Sequence, residues 1–259
     1  TALLDEPIRR DWSLGRMALQ ACLWEATAVK AGNVHPGTSF ENMAYADFVH
    51  SAMVVGRTIE AVELTLSHDN PAPPIALWLR SMIAELQPRI RVNTNLGILL
   101  LFAPLLSAMW RAINDDRITT PGKPELIVSS LKRRLQEVLG QLQADDSRAV
   151  YEAIRVANPG GLGASAKYDV HQAAPERLLD AMAFAATYDD IAKQYATNFD
   201  DVFSLAQMHL KPPAGRTFLE QIRYVQIYRL AHAGDSLIAR KCGRQISDEV
   251  RRRARQVLN

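Results

Sequence analysis

Four polar, glycine-punctuated segments interrupt an otherwise amphipathic chain, and they hold most of the residues whose types could do chemistry. They are Glu25 to Gly37 (EATAVKAGNVHPG), Arg91 to Gly97 (RVNTNLG), Asn158 to Asp169 (NPGGLGASAKYD) and Gly234 to Gly243 (GDSLIARKCG). Loops dense in Gly and Asn bring backbone amides close to a ligand, which suits phosphate oxygens. Any one of them alone is also a plain turn between helices. The four together, each with a charged or amide side chain, favour binding. Glu25 falls on the apolar face of the first predicted helix, where a charge is costly unless it meets a partner or a ligand. Asp189-Asp190 and Asp200-Asp201 are paired acids near helix starts, where capping nearly accounts for them and Mg²⁺ binding is the alternative. Arg244, Arg251, Arg252, Arg253 and Arg255 read most simply as a solvated helix face.

Several chemistries are excluded by what is missing. The NPGGLG run has no Gly-Lys-Ser/Thr after it and no strand before it, so it is neither a Walker loop nor a dinucleotide fingerprint. There is no GxSxG elbow, no HExxH and no CxxC. The six histidines, among them His35 and His171, show no paired metal-ligand spacing. Two cysteines, Cys22 and Cys242, are too few for a disulfide framework or a zinc cluster and suit a reducing cytosol. With 30 Lys plus Arg against 28 Asp plus Glu, the net charge of +2 argues against nucleic-acid binding by bulk electrostatics. Thr1 to Arg10 carries two acids and no apolar run of signal-peptide length. The most apolar stretch, Gly97 to Trp110, is shorter than the roughly 18 residues a membrane span needs. The expectation is a soluble cytoplasmic protein with no membrane partner.

The elements that position these loops are helical. Apolar residues recur at three- and four-residue steps, with no strand alternation bounded by hairpin turns. The spacing predicts helices over Ser13–Ala28, Tyr45–Leu66, Ile75–Leu86, Gly97–Asn114, Glu125–Leu142, Asp146–Val156, Pro175–Tyr188, Phe199–Leu210, Thr217–Ala233 and Asp248–Leu258. Caps are expected at Ser247 and Asn198, Pro175 fits a first helical turn, and Pro104 predicts a kink near Leu100. Nothing repeats at a period of roughly 20–50 residues. The expected fold is all-α: one domain over residues 1–259, a multi-helix bundle of about ten helices.

Taken in order, the Glu25…Lys30-x-Gly32-Asn33-Val34 loop, Asp47-Phe48…Ser51-Ala52, the Asn93-Thr94-Asn95-x-Gly97 turn and Asp235…Arg240-x-x-Gly243 form a recognisable set. The chain thereby resembles the triphosphoribosyl-dephospho-coenzyme A synthase family over about Leu19 to Gly243. It departs from the family's usual wording in places. Val29-Lys30-Ala31-Gly32 stands for Pro-Lys-Pro-Gly, Asn42-Met43 for Asp-Met, and Asn93-Thr94-Asn95-Leu96-Gly97 for Asn-Thr-His-Lys-Gly. Asn158-Pro159-Gly160-Gly161-Leu162-Gly163 replaces an Arg-Gly-Glu-Ala segment, and Leu237 stands where an Asn is usual. These departures resemble the divergent branch of organisms that use tetrahydromethanopterin.

The resemblance implies an all-helical transferase of cofactor biosynthesis that uses ATP as a pentosyl donor. The 2′-hydroxyl of dephospho-coenzyme A attacks the ribose C1′, adenine leaves, and the triphosphate stays on the sugar. Positive charge develops on the ribose, so Glu25 or Asp235 is the candidate stabilising carboxylate. Protonating adenine and deprotonating the acceptor need an acid and a base, for which Asp235, Asp169 and His35 stand equal. The triphosphate would meet Lys30, Arg240, Lys241, the amides of Gly32, Gly160 and Gly161, and Mg²⁺ held by Glu25 and Asp235. Asn33, Asn93 and Asn95 would donate to phosphate or ribose oxygens, with His35 beside them. Lys30 is expected to be a loop lysine apart from the core, whose loss would leave the thermal midpoint nearly unchanged. The altered motifs allow a pterin-type acceptor in a related phosphoribosyl transfer. They also allow a helical nucleotide-binding or scaffold protein without catalysis.

Overall fold

Two buried glycines fix the first helix pair. α1 (Leu14–Thr27) and α2 (Tyr45–Thr65) cross where Gly15 faces Gly56. A side chain on Gly15 would sit 2.4 Å from the Gly56 carbonyl oxygen, and one on Gly56 would sit 2.7 Å from Leu19 Cβ. Only glycine allows backbones this close. This computed structural model describes residues 12–67, 72–87, 95–114, 124–160, 163–210 and 215–258. Among them ten further helices follow: α3 (Ile75–Leu86), α4 (Leu96–Asn114), α5 (Pro124–Gly140), α6 (Ala144–Ala157), α7 (Leu178–Ala185), α8 (Asp190–Ala196), α9 (Asp200–Leu210), α10 (Phe218–Ala233), α11 (Ser236–Cys242) and α12 (Arg244–Leu258). No strand occurs among the described residues beyond two isolated bridge pairs, His35–Thr38 and Phe40–Met43. The all-α expectation holds, with twelve helices rather than about ten.

The main apolar core draws on α1 to α9, with Trp78, Leu79, Ile59, Leu99, Leu135 and Phe199 at its centre. Polar groups inside it are spent on carbonyls and amides. Asp146 caps its own helix through the Gln143 amide (2.8 Å) and reaches α3 to accept from the Ala76 amide (2.9 Å). Pro104 sits inside α4 and has no N–H for the Leu100 carbonyl four residues back. That carbonyl accepts instead from the buried Tyr195 hydroxyl of α8, 2.5 Å away. α4 is long and apolar enough to cross a membrane by length and composition, being 19 residues at mean hydropathy 1.9, more than the Gly97–Trp110 stretch suggested. Half of it is buried inside the protein, against α3, α5, α6 and α8, which is the setting of a core helix.

A second, small apolar cluster of Leu230, Ala231 and Ala254 joins α10, α11 and α12. It meets the main body at Trp24 and Phe218, whose ring centroids lie 4.1 Å apart.

Several local expectations give way to tertiary contacts. α12 begins at Arg244 directly after Gly243 (φ 90°), so Ser247 lies inside it and donates to the Asp235 carbonyl at 3.2 Å instead of capping. Asn198 and Phe199 adopt positive φ (51° and 61°), so α9 starts at Asp200 without the expected Asn198 cap. α7 starts at Leu178, leaving Pro175 outside it. α8 is a separate helix because the Asp189 side chain accepts from the Ala192 amide and restarts the helix there. Of the α12 arginines, Arg244, Arg252, Arg253 and Arg255 are exposed as expected, and Arg251 is half-buried. Arg251 and Arg255 donate to the carbonyls of His232 and Ala231 at the end of α10, 3.0 and 2.9 Å away.

Candidate active site

The loop after α1 is folded back onto the helix by its own charges. Lys30 Nζ donates to Glu25 Oε1, and Asn33 Nδ2 reaches the same oxygen at 3.4 Å. Lys30 is 7% exposed, so the expectation of a loop lysine apart from the core is corrected: it is a buried ammonium with a carboxylate partner. The same loop is also bonded to α10. There Gln226 Nε2 donates to the Ala31 carbonyl at 3.1 Å. Gly32, at φ 75°, makes the turn that lets Asn33 come back toward Glu25. One turn up α1, burial and the Glu25 charge push the Cys22 thiol up to about 12, so it stays protonated. His35 Nδ1 accepts from the Gly37 amide at 3.1 Å, which fixes the adjoining Pro36-Gly37 turn.

The second cluster lies at the far end of α10. Gly234 (φ 77°) ends that helix, and Asp235 Oδ1 then accepts from the Ile238 amide at 3.0 Å, capping α11. Asp190 and Ser236 cap each other reciprocally: the Asp190 amide donates to Ser236 Oγ and the Ser236 amide to Asp190 Oδ2, both at 2.9 Å. Arg229 of α10 completes this clamp through Asp190 Oδ1 (2.8 Å) and the Gly234 carbonyl (2.8 Å). Arg240 pairs with Asp189 at 3.4 Å, while its Nε is buried with no partner among the described residues. Lys241 runs beside Gly160, its Cε 3.8 Å from where a Gly160 side chain would begin. Two segments singled out in the sequence therefore meet here.

Asp169 is a fastener. Oδ2 accepts from the Ser165 amide and Oδ1 from the His171 amide, each at 2.8 Å, and these bonds hold its carboxyl below the usual carboxylate range. With both oxygens engaged and the residue buried, it is removed from the acid–base candidates. Those bonds, and Tyr151 Oη donating to the Tyr168 carbonyl at 3.0 Å, hold Tyr168 at φ 57°. A bulky residue in that region stores about 1–3 kcal/mol of strain. Asn95 is buried and its amide donates to Ser51 Oγ, so it ties α4 to α2 rather than facing a ligand. Asn93 and Gly161 lie outside the described residues.

The candidates thus fall into two groups, Glu25–Lys30–Asn33 and Asp235–Arg240–Lys241–Gly160. α10 joins them: Gln226 touches the first, Arg229 supports the second, and about 10 Å of helix separates Gln226 from Ala233. Gln226 and Arg229 carried no signal in the sequence, since their partners Ala31 and Asp190 are 195 and 39 residues away. Among the described residues no group of three or more His, Cys, Asp or Glu side chains could hold a metal unaided. Glu25 Oε2 and Asp235 Oδ2 are engaged by no described residue. One or two such carboxylates plus phosphate oxygens are what Mg²⁺ takes when it arrives with a nucleotide, so the donor set fits.

An all-helical protein with cations, glycine amides and half-free carboxylates at helix ends is, by class, suited to a polyanionic small ligand. The family model described as ATP:dephospho-CoA triphosphoribosyl transferase matches residues 11–259, and the chain belongs to that family of transferases. Comparison with curated proteins and with solved structures gave no match.

Proposed function

We propose that this protein transfers a triphosphoribosyl unit from ATP to an acceptor hydroxyl, with dephospho-coenzyme A as the acceptor its family implies. The C1′–N9 bond of ATP breaks, the C1′–O bond to the acceptor forms, and adenine leaves with the proton that the hydroxyl gives up. The observation that carries this proposal is the pair of cationic clusters bridged by α10, with Lys30 at one end and Arg240 and Lys241 at the other. A triphosphate on a ribose has the length and charge to lie between them. Lys30 leaves Glu25 for the phosphates, or shares itself between them, freeing carboxylate charge to stabilise the ribose as C1′ becomes cationic. Asp235 Oδ2 and His35 are the groups left to move protons. Mg²⁺, when bound with ATP, would supply positive charge to the phosphate oxygens; Glu25 and Asp235 belong to separate clusters, so one of the two, together with phosphate oxygens, would hold it.

Leu237 favours a second acceptor. It is 45% exposed on α11 beside this cluster, an apolar face suited to a flat ring such as a pterin. One experiment separates the possibilities: purified protein with ATP and Mg²⁺, plus dephospho-coenzyme A or a pterin-type acceptor, assayed for free adenine by chromatography. Adenine with dephospho-coenzyme A is the expected result. Adenine only with the pterin would transfer the assignment to that acceptor. Intact ATP with every acceptor would mean a nucleotide-binding protein without catalysis.

A further inference from the structure

Beyond the two cationic clusters, one aromatic group has no role in the core. Tyr168, Phe184 and Tyr188 meet edge to face, with ring centroids 5.8 Å apart for the first pair and 6.3 Å for the second. Phe184 and Tyr188 are 41% and 54% exposed, although burying rings of this size is among the most favourable uses a fold has for them. The stage beneath is rigid. Tyr151, itself buried, donates to the Tyr168 carbonyl, Asp169 takes two loop amides, and Arg155 donates to the Val170 carbonyl at 2.8 Å. This fastening keeps Tyr168 at a positive φ that a tyrosine rarely adopts, so the ring is held in place at a cost to the backbone.

Cations border the rings on both sides. Lys167 Nζ lies 4.7 Å from the Tyr168 ring centroid. On the other side Tyr188 directly precedes Asp189, the partner of Arg240, and Lys241 follows with Gly160 beside it. Arg240 pairs with Asp189, whereas Lys167 and Lys241 form no ion pair among the described residues. The patch therefore offers exposed π faces next to uncompensated positive charge.

We infer that Phe184 and Tyr188 form a stacking platform for the purine of an adenine nucleotide, whose phosphates run toward Lys241 and Arg240. The platform rests on the proposal above that the protein uses such nucleotides. The same chemistry is carried by the donor, ATP, and by the adenosine end of dephospho-coenzyme A. Titration calorimetry of each ligand, and of inorganic triphosphate, on wild type, Tyr188→Phe and Phe184→Ala/Tyr188→Ala distinguishes the two sources. Loss of base stacking should weaken whichever nucleotide uses the platform by about 5- to 150-fold. Tyr188→Phe should keep affinity within about twofold, because the π face survives, and triphosphate binding should not move. Both side chains are exposed, so the double variant should keep its thermal midpoint, checked by circular dichroism. ATP and dephospho-coenzyme A both binding the folded double variant within twofold of wild type would overturn the platform, as would a wild type that binds neither. Tight, platform-dependent binding without adenine release would instead overturn the proposed reaction and leave the platform standing.

Discussion

Removing either member of the Glu25–Lys30 pair should destabilise the protein, but by unequal amounts, and the inequality is the test. Lys30 has 6% of its side chain exposed and Glu25 has 35%. Glu25→Ala leaves a nearly buried ammonium without its carboxylate partner, and stranding a buried charge costs about 3–5 kcal/mol. Partial access of water from the Glu25 side argues for the lower end, about 3 kcal/mol. Lys30→Met keeps the apolar stem and leaves a carboxylate that water and Asn33 Nδ2 still reach. Its cost should be that of one charge-assisted hydrogen bond, about 1.5 kcal/mol. In the double variant no charge is stranded, so its destabilisation should fall below that of Glu25→Ala alone. Urea unfolding measures all three; in the thermal midpoint about 2–4 °C per kcal/mol is expected for a chain of this size. Equal costs for the single variants, or a strictly additive double, would refute the buried-pair account. ATP titrated onto folded Lys30→Met should bind about tenfold or more weakly if the ammonium also meets phosphate.

Asp235→Asn should fold with a near-normal midpoint, since asparagine caps the α11 amide as well as aspartate, while adenine release falls about 100-fold or more. More than half the wild-type rate would leave Asp235 a cap and make Glu25 the essential carboxylate. Tyr195→Phe should cost about 1–3 kcal/mol because the Leu100 carbonyl loses its donor, and much less in a Pro104→Ala background that restores the helical N–H; an equal cost in both would disprove the substitution of Tyr195 for the missing amide. The Arg80 pair, first by hydrogen bonding, holds the Asp145 carboxyl down to about 2. A lowered carboxyl contributes stability above its unfolded value of about 4 and loses it as pH falls toward 2, so Arg80→Ala should flatten the acid limb of a midpoint-against-pH curve.

Much of the fold is legible from periodicity because most of its helices are long and one-sided. α3 runs over Ile75–Leu86, as its spacing predicts, and α1 over Leu14–Thr27 against a predicted Ser13–Ala28. What failed lies where short helices are set by distant partners. α8 has seven residues, too few for a period to register; Asp189 caps it locally, and Ser236 of α11 holds its first residue, Asp190, from 46 residues away. The candidate site divides in the same way. Glu25 on an apolar face announces a required partner, and Lys30 five residues on is within reach, but nothing local says that the lysine is buried. Nor does anything local announce that the loop is bonded to α10 by Gln226, 195 residues from Ala31. Asp169 misled for a related reason: a carboxylate among glycines suits a catalytic base as well as a loop fastener, and only its two amide donors decide.

The distribution of apolar burial bears on how such a site would work. α1 to α9 share a large core, whereas α10 to α12 enclose only Leu230, Ala231 and Ala254 as fully buried apolar residues. Besides the Trp24–Phe218 ring contact, the C-terminal helices are attached by directional polar contacts: Gln226 to Ala31, Arg229 to Asp190, Asp190 to Ser236 and Arg240 to Asp189. Polar attachments of this kind contribute less per contact than core burial and tolerate small displacements, so this unit belongs to the less stable part of the molecule. Asp235, Arg240 and Lys241 ride on it, while Glu25 and Lys30 belong to the well-packed α1. A polyanion lying between them would add charge-assisted bonds to both halves at once, so it would hold the C-terminal helices down as it binds.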